Sequence, residues 1–193
     1  ASTNQYADEF IAGNLGVYDP SNGYVYVVSH LSNSISVING TRLIANITAE
    51  CDSGPVIYDP ANKYIYAFGY REAPGPNGYA YIINGTNIIE NIILPYYLGC
   101  VVYDPSNGFL YGTNPGSYYI SVIASSSLIA SVTVGYRPIG ITYDPINNYI
   151  YAVSECTNSV SVIQDTSVVA KLNVGTFPQQ ILYNPSNDLC LCR

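Results

Sequence analysis

Tyr18-Asp19-Pro20-Ser21-Asn22-Gly23-Tyr24-Val25-Tyr26 decides how this chain is read. The phrase returns as Tyr58-Asp59-Pro60 with Tyr64-Ile65-Tyr66, as Tyr103-Asp104-Pro105 with Phe109-Leu110-Tyr111, and as Tyr143-Asp144-Pro145 with Tyr149-Ile150-Tyr151. A fifth copy opens at Tyr183-Asn184-Pro185. The steps between copies are 40, 45, 40 and 40 residues. A fixed period near 40 marks a repeat architecture, in which each unit buries its face against the next.

Working outward, each phrase is followed by an alternating run: Ile35-Ser36-Val37-Ile38, Ala80-Tyr81-Ile82-Ile83, Ile120-Ser121-Val122-Ile123 and Val160-Ser161-Val162-Ile163. A further apolar run follows, such as Leu128 to Val134. From the end of each alternating run to the next repeated Tyr the distance is always 20 residues. The five extra residues of the second unit therefore fall earlier, in Arg71 to Gly78, which predicts a surface loop there.

Each unit thus holds four short strands, a to d, rich in Val, Ile and Tyr and bounded by Gly, Asn and Pro. No sustained helical period is present. Four antiparallel strands per unit of about 40 residues predict an all-β fold, a β-propeller of four complete blades and a partial fifth. The repeats start near residues 14, 54, 99, 139 and 179, and 1–193 reads as one propeller domain. Three modes of closure stand side by side: a five-bladed ring, part of a larger propeller, or completion by another copy through an open strand edge.

The pattern Tyr-Asp-Pro-x-Asn-Gly-Tyr-Ile-Tyr, then Ser-Val-Ile, then Val-Gly-x-x-Pro-x-Gly resembles the YVTN family of β-propeller repeats. The match runs from about residue 14 to the C-terminus and is best from Val134-Gly135-Tyr136-Arg137-Pro138-Ile139-Gly140 through Tyr151. The resemblance implies a propeller of the archaeal surface-layer or other cell-surface type. It does not specify a chemistry, because propellers host binding, scaffolding and catalysis alike.

Composition narrows the partners. Charged residues make up 10% and the net charge is −7, which argues against nucleic acid, whose phosphates need Lys and Arg. There are 21 Tyr, with no Trp and no Met. Tyr suits packing between sheets with one edge wet, and Tyr24, Tyr26, Tyr64, Tyr66, Tyr149 and Tyr151 are expected to pack largely buried between blades. No apolar run of about 18 residues is present to span a membrane. Three sequons, at Asn39, Asn46 and Asn84, offer glycosylation sites; Asn-Gly at two of them also suits a type I′ hairpin turn.

Five cysteines, Cys51, Cys100, Cys156, Cys190 and Cys192, allow at most two internal pairs. Cys51 and Cys100 lie in the d–a connections of adjacent blades, which makes them a candidate disulfide. Cys190 and Cys192 take the places of Ile150 and Ala152, as small core hydrophobes. No metal or cofactor motif is read.

The Asp of each Tyr-Asp-Pro recurs once per blade, which favours a turn-fixing role over a catalytic one. His30 is the only His and has no assignable nucleophile or orienting partner. If a small-molecule site exists, the d–a and b–c loops place it on one face, around the channel mouth. There they carry His30, Glu50, Asp52, Arg71, Glu72, Tyr96, Tyr97, Tyr136, Arg137, Glu155 and Phe177. Aromatics beside a few charges suit a sugar or peptide.

The leading expectation is a non-enzymatic, secreted or cell-surface module with a structural, self-assembling or adhesive role. Its partners would be further copies or other surface proteins and glycans. The alternative is a carbohydrate- or peptide-binding, lectin-like propeller using the loop face. A propeller lyase or hydrolase is a third reading.

Overall fold

The computed structural model describes residues 15–29, 32–49, 54–71, 77–186 and 189–192, with backbone alone at 71, 77 and 189–192. The chain is all-β. Blade one holds β1 Gly16–Asp19, β2 Tyr24–Ser29, β3 Ser34–Asn39 and β4 Arg42–Thr48. Blade two holds β5 Val56–Asp59, β6 Tyr64–Arg71, β7 Asn77–Asn84 and β8 Asn87–Leu94. Blade three holds β9 Val101–Asp104, β10 Phe109–Thr113, β11 Tyr119–Ala124 and β12 Ser127–Thr133. Blade four holds β13 Pro138–Asp144, β14 Tyr149–Ser154, β15 Ser159–Gln164 and β16 Ser167–Asn173. The fifth blade contributes β17 Ile181–Asn184 and β18 Leu189–Cys192. Every pairing is antiparallel between sequence neighbours, so each blade is a meander and successive blades pack face to face.

The insertion in blade two lengthens a hairpin. β6 reaches Arg71 and β7 starts at Asn77, so both ends of the expected loop are paired strand; its centre lies outside the described residues.

The repeated phrase builds the same turn each time. The Asp side chain accepts the backbone N–H two residues on: Ser21 to Asp19 at 2.8 Å, Ala61 to Asp59 at 2.8 Å, Ser106 to Asp104 at 2.8 Å, Ile146 to Asp144 at 2.9 Å. Its carbonyl accepts a second N–H four residues on, from Gly23, Lys63, Gly108 or Asn148. Those residues all have positive φ, which Gly adopts freely and Asn tolerates; Lys63 takes it at a steric cost. The four Asp residues are at most 4% exposed, and their recurring bonds are those of a turn.

A second repeated network joins one blade to the next. Asn22, Asn62 and Asn107 donate from Nδ2 to the hydroxyls of Tyr26, Tyr66 and Tyr111 at 3.1, 2.8 and 2.9 Å. Each hydroxyl donates in turn to a main-chain carbonyl at the c–d tip of the following blade. Tyr26 bonds Gly85 at 2.9 Å, Tyr66 bonds Ser125 at 2.8 Å, and Tyr111 bonds Asp165 at 3.0 Å. The rings of these three Tyr are 0–1% exposed and belong to the apolar layers between blades. In the b strands of blades one to three it is this second aromatic position that is buried. Tyr24, Tyr64, Tyr149 and Tyr151, expected to be largely buried, are half-buried: the first three share the face of the Tyr two residues on but stand at the start of their strand, beside the a–b turn, and Tyr151 packs against the fifth blade, in the cluster of Val153, Val160 and Ile181.

The c–d tips also differ from the expected type I′ turn. Asn39 and Asn84 end strands β3 and β7, and the turn begins at Gly40 and Gly85. Each tip has positive φ at its first turn residue alone: Gly40, Gly85, Ser125 or Asp165. Type I′ needs two. A β-bulge just before each tip, for example at Val37/Ile38 and Val162/Ile163, shifts the register by one residue and moves Asn out of the turn.

Candidate functional site

Meander topology puts the a–b turns and c–d tips at one end of each blade. The b–c and d–a loops lie at the other end. Of the loop-face residues singled out by sequence, His30, Glu50, Asp52 and Glu72 lie outside the described residues, as do Cys51 and with it the Cys51–Cys100 pairing; Arg71 is described by backbone alone.

The remaining candidates stand on the d–a and b–c loops of blades two to five. Tyr96 stacks on Tyr119 at 6.3 Å between ring centroids, Tyr97 meets Tyr70 at 5.8 Å, and Tyr136 meets Tyr118 at 4.8 Å. Sequence reasoning missed Tyr70, Tyr118 and Tyr119. The available signal was that each lies at or next to the b–c connection, Tyr70 near the end of β6, Tyr119 at the start of β11 and Tyr118 just before it, on the end of the blade that carries the d–a loops. Burial pushes the Tyr97 hydroxyl above its ordinary value, an effect that Arg137 partly offsets.

Arg137 and Glu155 meet in a 2.6 Å ion pair. Glu155 opens a single 3-10 turn, Glu155–Thr157, and is 7% exposed, so its carboxylate is desolvated and neutralised by the guanidinium. The backbone binds the same loops. The Arg137 N–H donates to the Ser117 carbonyl at 2.9 Å, and the Glu155 N–H donates to the Arg137 carbonyl at 3.1 Å. One d–a loop therefore bridges the b–c loops of two blades. Phe177, one repeat on from Arg137, is 68% exposed; its N–H is held by Asn158 Oδ1 at 2.9 Å. Arg137 and Phe177 have φ of 60° and 52°, uncommon for side chains of this size, and each is fixed by the N–H bond just described.

A cleft of about 470 Å³ lies against the inner strands of blades three to five, lined by Cys100, Val102, Ile139, Ile141, Gln180 and Ile181. Burial pushes the Cys100 thiol up to about 11, so it is protonated at neutral pH and a poor nucleophile. Among the described residues no group of three His, Cys, Asp or Glu side chains is placed to hold a metal. Among the described residues the rim is thus an aromatic surface with one carboxylate, that of Glu155, paired to Arg137, and these side chains can stack and hydrogen-bond.

The sequon residues Asn39, Asn46 and Asn84 are all exposed. Asn39 and Asn84 stand at c–d tips, on the end opposite the rim. Asn46 lies on the outer strand β4, where its Oδ1 accepts the Ser36 hydroxyl at 2.8 Å.

No known family profile matches the chain, and no curated protein matches it by sequence. Solved structures do match. A protein of unknown function from Desulfotomaculum acetoxidans aligns with a TM-score of 0.70 at 15% identity, over 89% of this chain and 59% of that one. Hydrazine synthase of Kuenenia stuttgartiensis aligns at 0.72 and 14%, over 90% and 53%. Virginiamycin B lyase of Staphylococcus aureus aligns at 0.68 and 20%, over 86% and 58%. At these identities the likeness is one of fold, which fits a β-propeller. The chain spans between about half and six-tenths of the length of those structures.

Proposed function

We propose that this chain is a non-enzymatic propeller module of the cell surface or of a secreted layer, with a structural, self-assembling or adhesive role. The observation that carries this reading is the exposure of all three sequon asparagines, two of them at hairpin tips, where an enzyme attaching sugar reaches them. The neutralised rim and the repeat pattern of surface-layer type support it. The test uses the native protein: envelope fractionation, surface labelling of intact cells, and mass analysis of Asn39, Asn46 and Asn84. An unglycosylated protein confined to the cytosol overturns the reading.

The second reading is a carbohydrate- or peptide-binding propeller. The three tyrosine pairs and Phe177 favour it, because stacked rings beside polar tips suit sugar faces and extended peptides. Screening against glycans and peptides, with Phe177→Ala and Tyr136→Ala as controls, checks it; equal binding by the variants sinks it. A lyase or hydrolase reading has only fold analogy behind it. Turnover that is lost in His30→Ala would replace both readings.

A further inference from the structure

Tyr118 and Tyr136 lie with 4.8 Å between ring centroids and their planes tilted by 39°. That is near the short end of the range for packed aromatic pairs, about 4.5–7 Å. Both rings are open to solvent, at 52% and 39% exposed. The Tyr70–Tyr97 and Tyr96–Tyr119 pairs are wider, at 5.8 and 6.3 Å, and all four of their residues are half-buried.

The blade does not need this pair in order to form. One repeat earlier the same two positions hold Gly78 and Tyr96, and one repeat later they hold Asn158 and Thr176. The backbone closes the loops. The Val134 N–H donates to the Tyr118 carbonyl at 2.7 Å, and the equivalent bond recurs without tyrosine as Val174 N–H to the Asn158 carbonyl at 3.0 Å. Residues on either side of the pair are fixed as well. The Arg137 N–H donates to the Ser117 carbonyl at 2.9 Å, and the Ser117 hydroxyl accepts the Tyr119 N–H at 3.0 Å. Two exposed phenols are thus held ring to ring by a frame that forms in their absence.

Composition adds a second reason to look at these rings. The chain has 21 Tyr and no Trp or Met, so an oxidant finds Tyr and the five Cys as its readily oxidised side chains.

We propose that Tyr118 and Tyr136 form an oxidative cross-linking site, at which a haem peroxidase with hydrogen peroxide joins the two rings into dityrosine. Each phenol gives up one hydrogen atom, and the two phenoxyl radicals pair at the carbons beside their oxygens to form one C–C bond. The hydrogens on those carbons move to the oxygens and restore both phenols. The peroxide takes up the two hydrogen atoms and leaves as two waters. Because the frame holds the rings in contact, a radical on one meets its neighbour before it meets another copy. Tyr118 precedes β11 and Tyr136 follows β12, so the bond ties the open end of the outer hairpin of blade three. Like a disulfide, it removes freedom from the unfolded chain. The site stands whether or not the rim binds a ligand.

The test treats the purified protein with peroxidase and peroxide after alkylation of free thiols, which would otherwise consume radicals. Dityrosine fluorescence and an intact mass lower by two hydrogen atoms are expected. After thermolysin cleavage within 120–134, the fragments bearing Tyr118 and Tyr136 are expected to stay joined. In a mixture of unlabelled and isotope-labelled protein, each joined pair is expected to carry one label only. Tyr118→Phe and Tyr136→Phe keep the ring and remove the phenol; each is expected to lose most of the product, with an unchanged circular dichroism spectrum. Oxidation is expected to raise the Tm of the wild type and to leave that of either variant where it was. A wild type that yields no dityrosine, joined fragments of mixed label, a bond mapped to another tyrosine pair, or equal product in the two variants overturns the proposal.

Discussion

Replacing Tyr66 by Phe removes one oxygen and leaves the ring packing intact. That oxygen accepts from Asn62 at 2.8 Å and donates to the Ser125 carbonyl of the next blade at 2.8 Å. The residue is 1% exposed, so water does not readily replace either partner. Two net hydrogen bonds at about 0.5–1.5 kcal/mol each, with an orphaned carbonyl between blades, put the loss near 2 kcal/mol. In a domain of this size that lowers Tm by roughly 4–8 °C. The control is Tyr18→Phe, whose side chain is 56% exposed and whose loss is expected within about 0.5 kcal/mol. Denaturant titration of both, with Asn62→Ala completing a double-mutant cycle, is expected to give a coupling of about 1 kcal/mol. If Tyr66→Phe were no worse than Tyr18→Phe, the clasp would contribute nothing and the reasoning would fail.

Burial pushes the hydroxyls of Tyr66 and Tyr111 up to about 12, from an ordinary value of 10.0. Below pH 10 folded and unfolded chains hold these protons equally; between 10 and 12 the unfolded chain sheds them first, so stability is expected to fall across that window, less steeply in Tyr66→Phe, as read by denaturation midpoints against pH. Gly135→Ala is expected to cost about 1–3 kcal/mol, since the new Cβ would sit 2.6 Å from Ser154 Cβ, while Gly175→Ala, one repeat on and open, is expected to be neutral or slightly stabilising. Ser121 donates its hydroxyl to Asn114 Oδ1 at 3.0 Å, but its counterpart Ser161 is buried and finds no partner among the described residues. Thermal melts are therefore expected to show Ser121→Ala losing about 1 kcal/mol and Ser161→Ala losing nothing. Arg137→Ala strands the Glu155 carboxylate, which is 7% exposed, and is expected to cost about 1–3 kcal/mol in the same melts, relieved when Glu155→Gln is added.

The strand plan was legible because a phase repeated four times overrides local ambiguity: Tyr-Asp-Pro fixes a, the aromatic pair fixes b, and constant spacing fixes c and d. The incomplete fifth blade was legible for the same reason. What stayed hidden depends on partners far along the chain. Tyr26 and Tyr24 look alike in sequence and share the face of β2 that meets blade two; only how far each stands from the a–b turn, and so how deeply blade two covers it, separates them. The bulge that moves Asn39 and Asn84 out of their turns leaves no residue signature, since Gly, Ser and Asp all serve at the tip. On the rim, Tyr136 and Arg137 were read from their loop, but Tyr118 and Ser117, which hold them, come from a b–c loop that carries no motif. Glu155 was read as a charge available to a ligand, whereas the fold spends it on Arg137.

The acceptor of each tyrosine hydroxyl is a main-chain carbonyl, supplied by glycine in one blade, serine in the next and aspartate in the third. Such a joint ignores the identity of the residue that accepts it. Sequence drift at the tips leaves the fit unchanged, and any unit with the right backbone course can follow any other. The chain is in this sense a grammar rather than a fixed sentence. Copies of the 40-residue word can be duplicated, dropped or exchanged by recombination without a matching change in their neighbours, and the number of blades becomes a quantity that a lineage can tune.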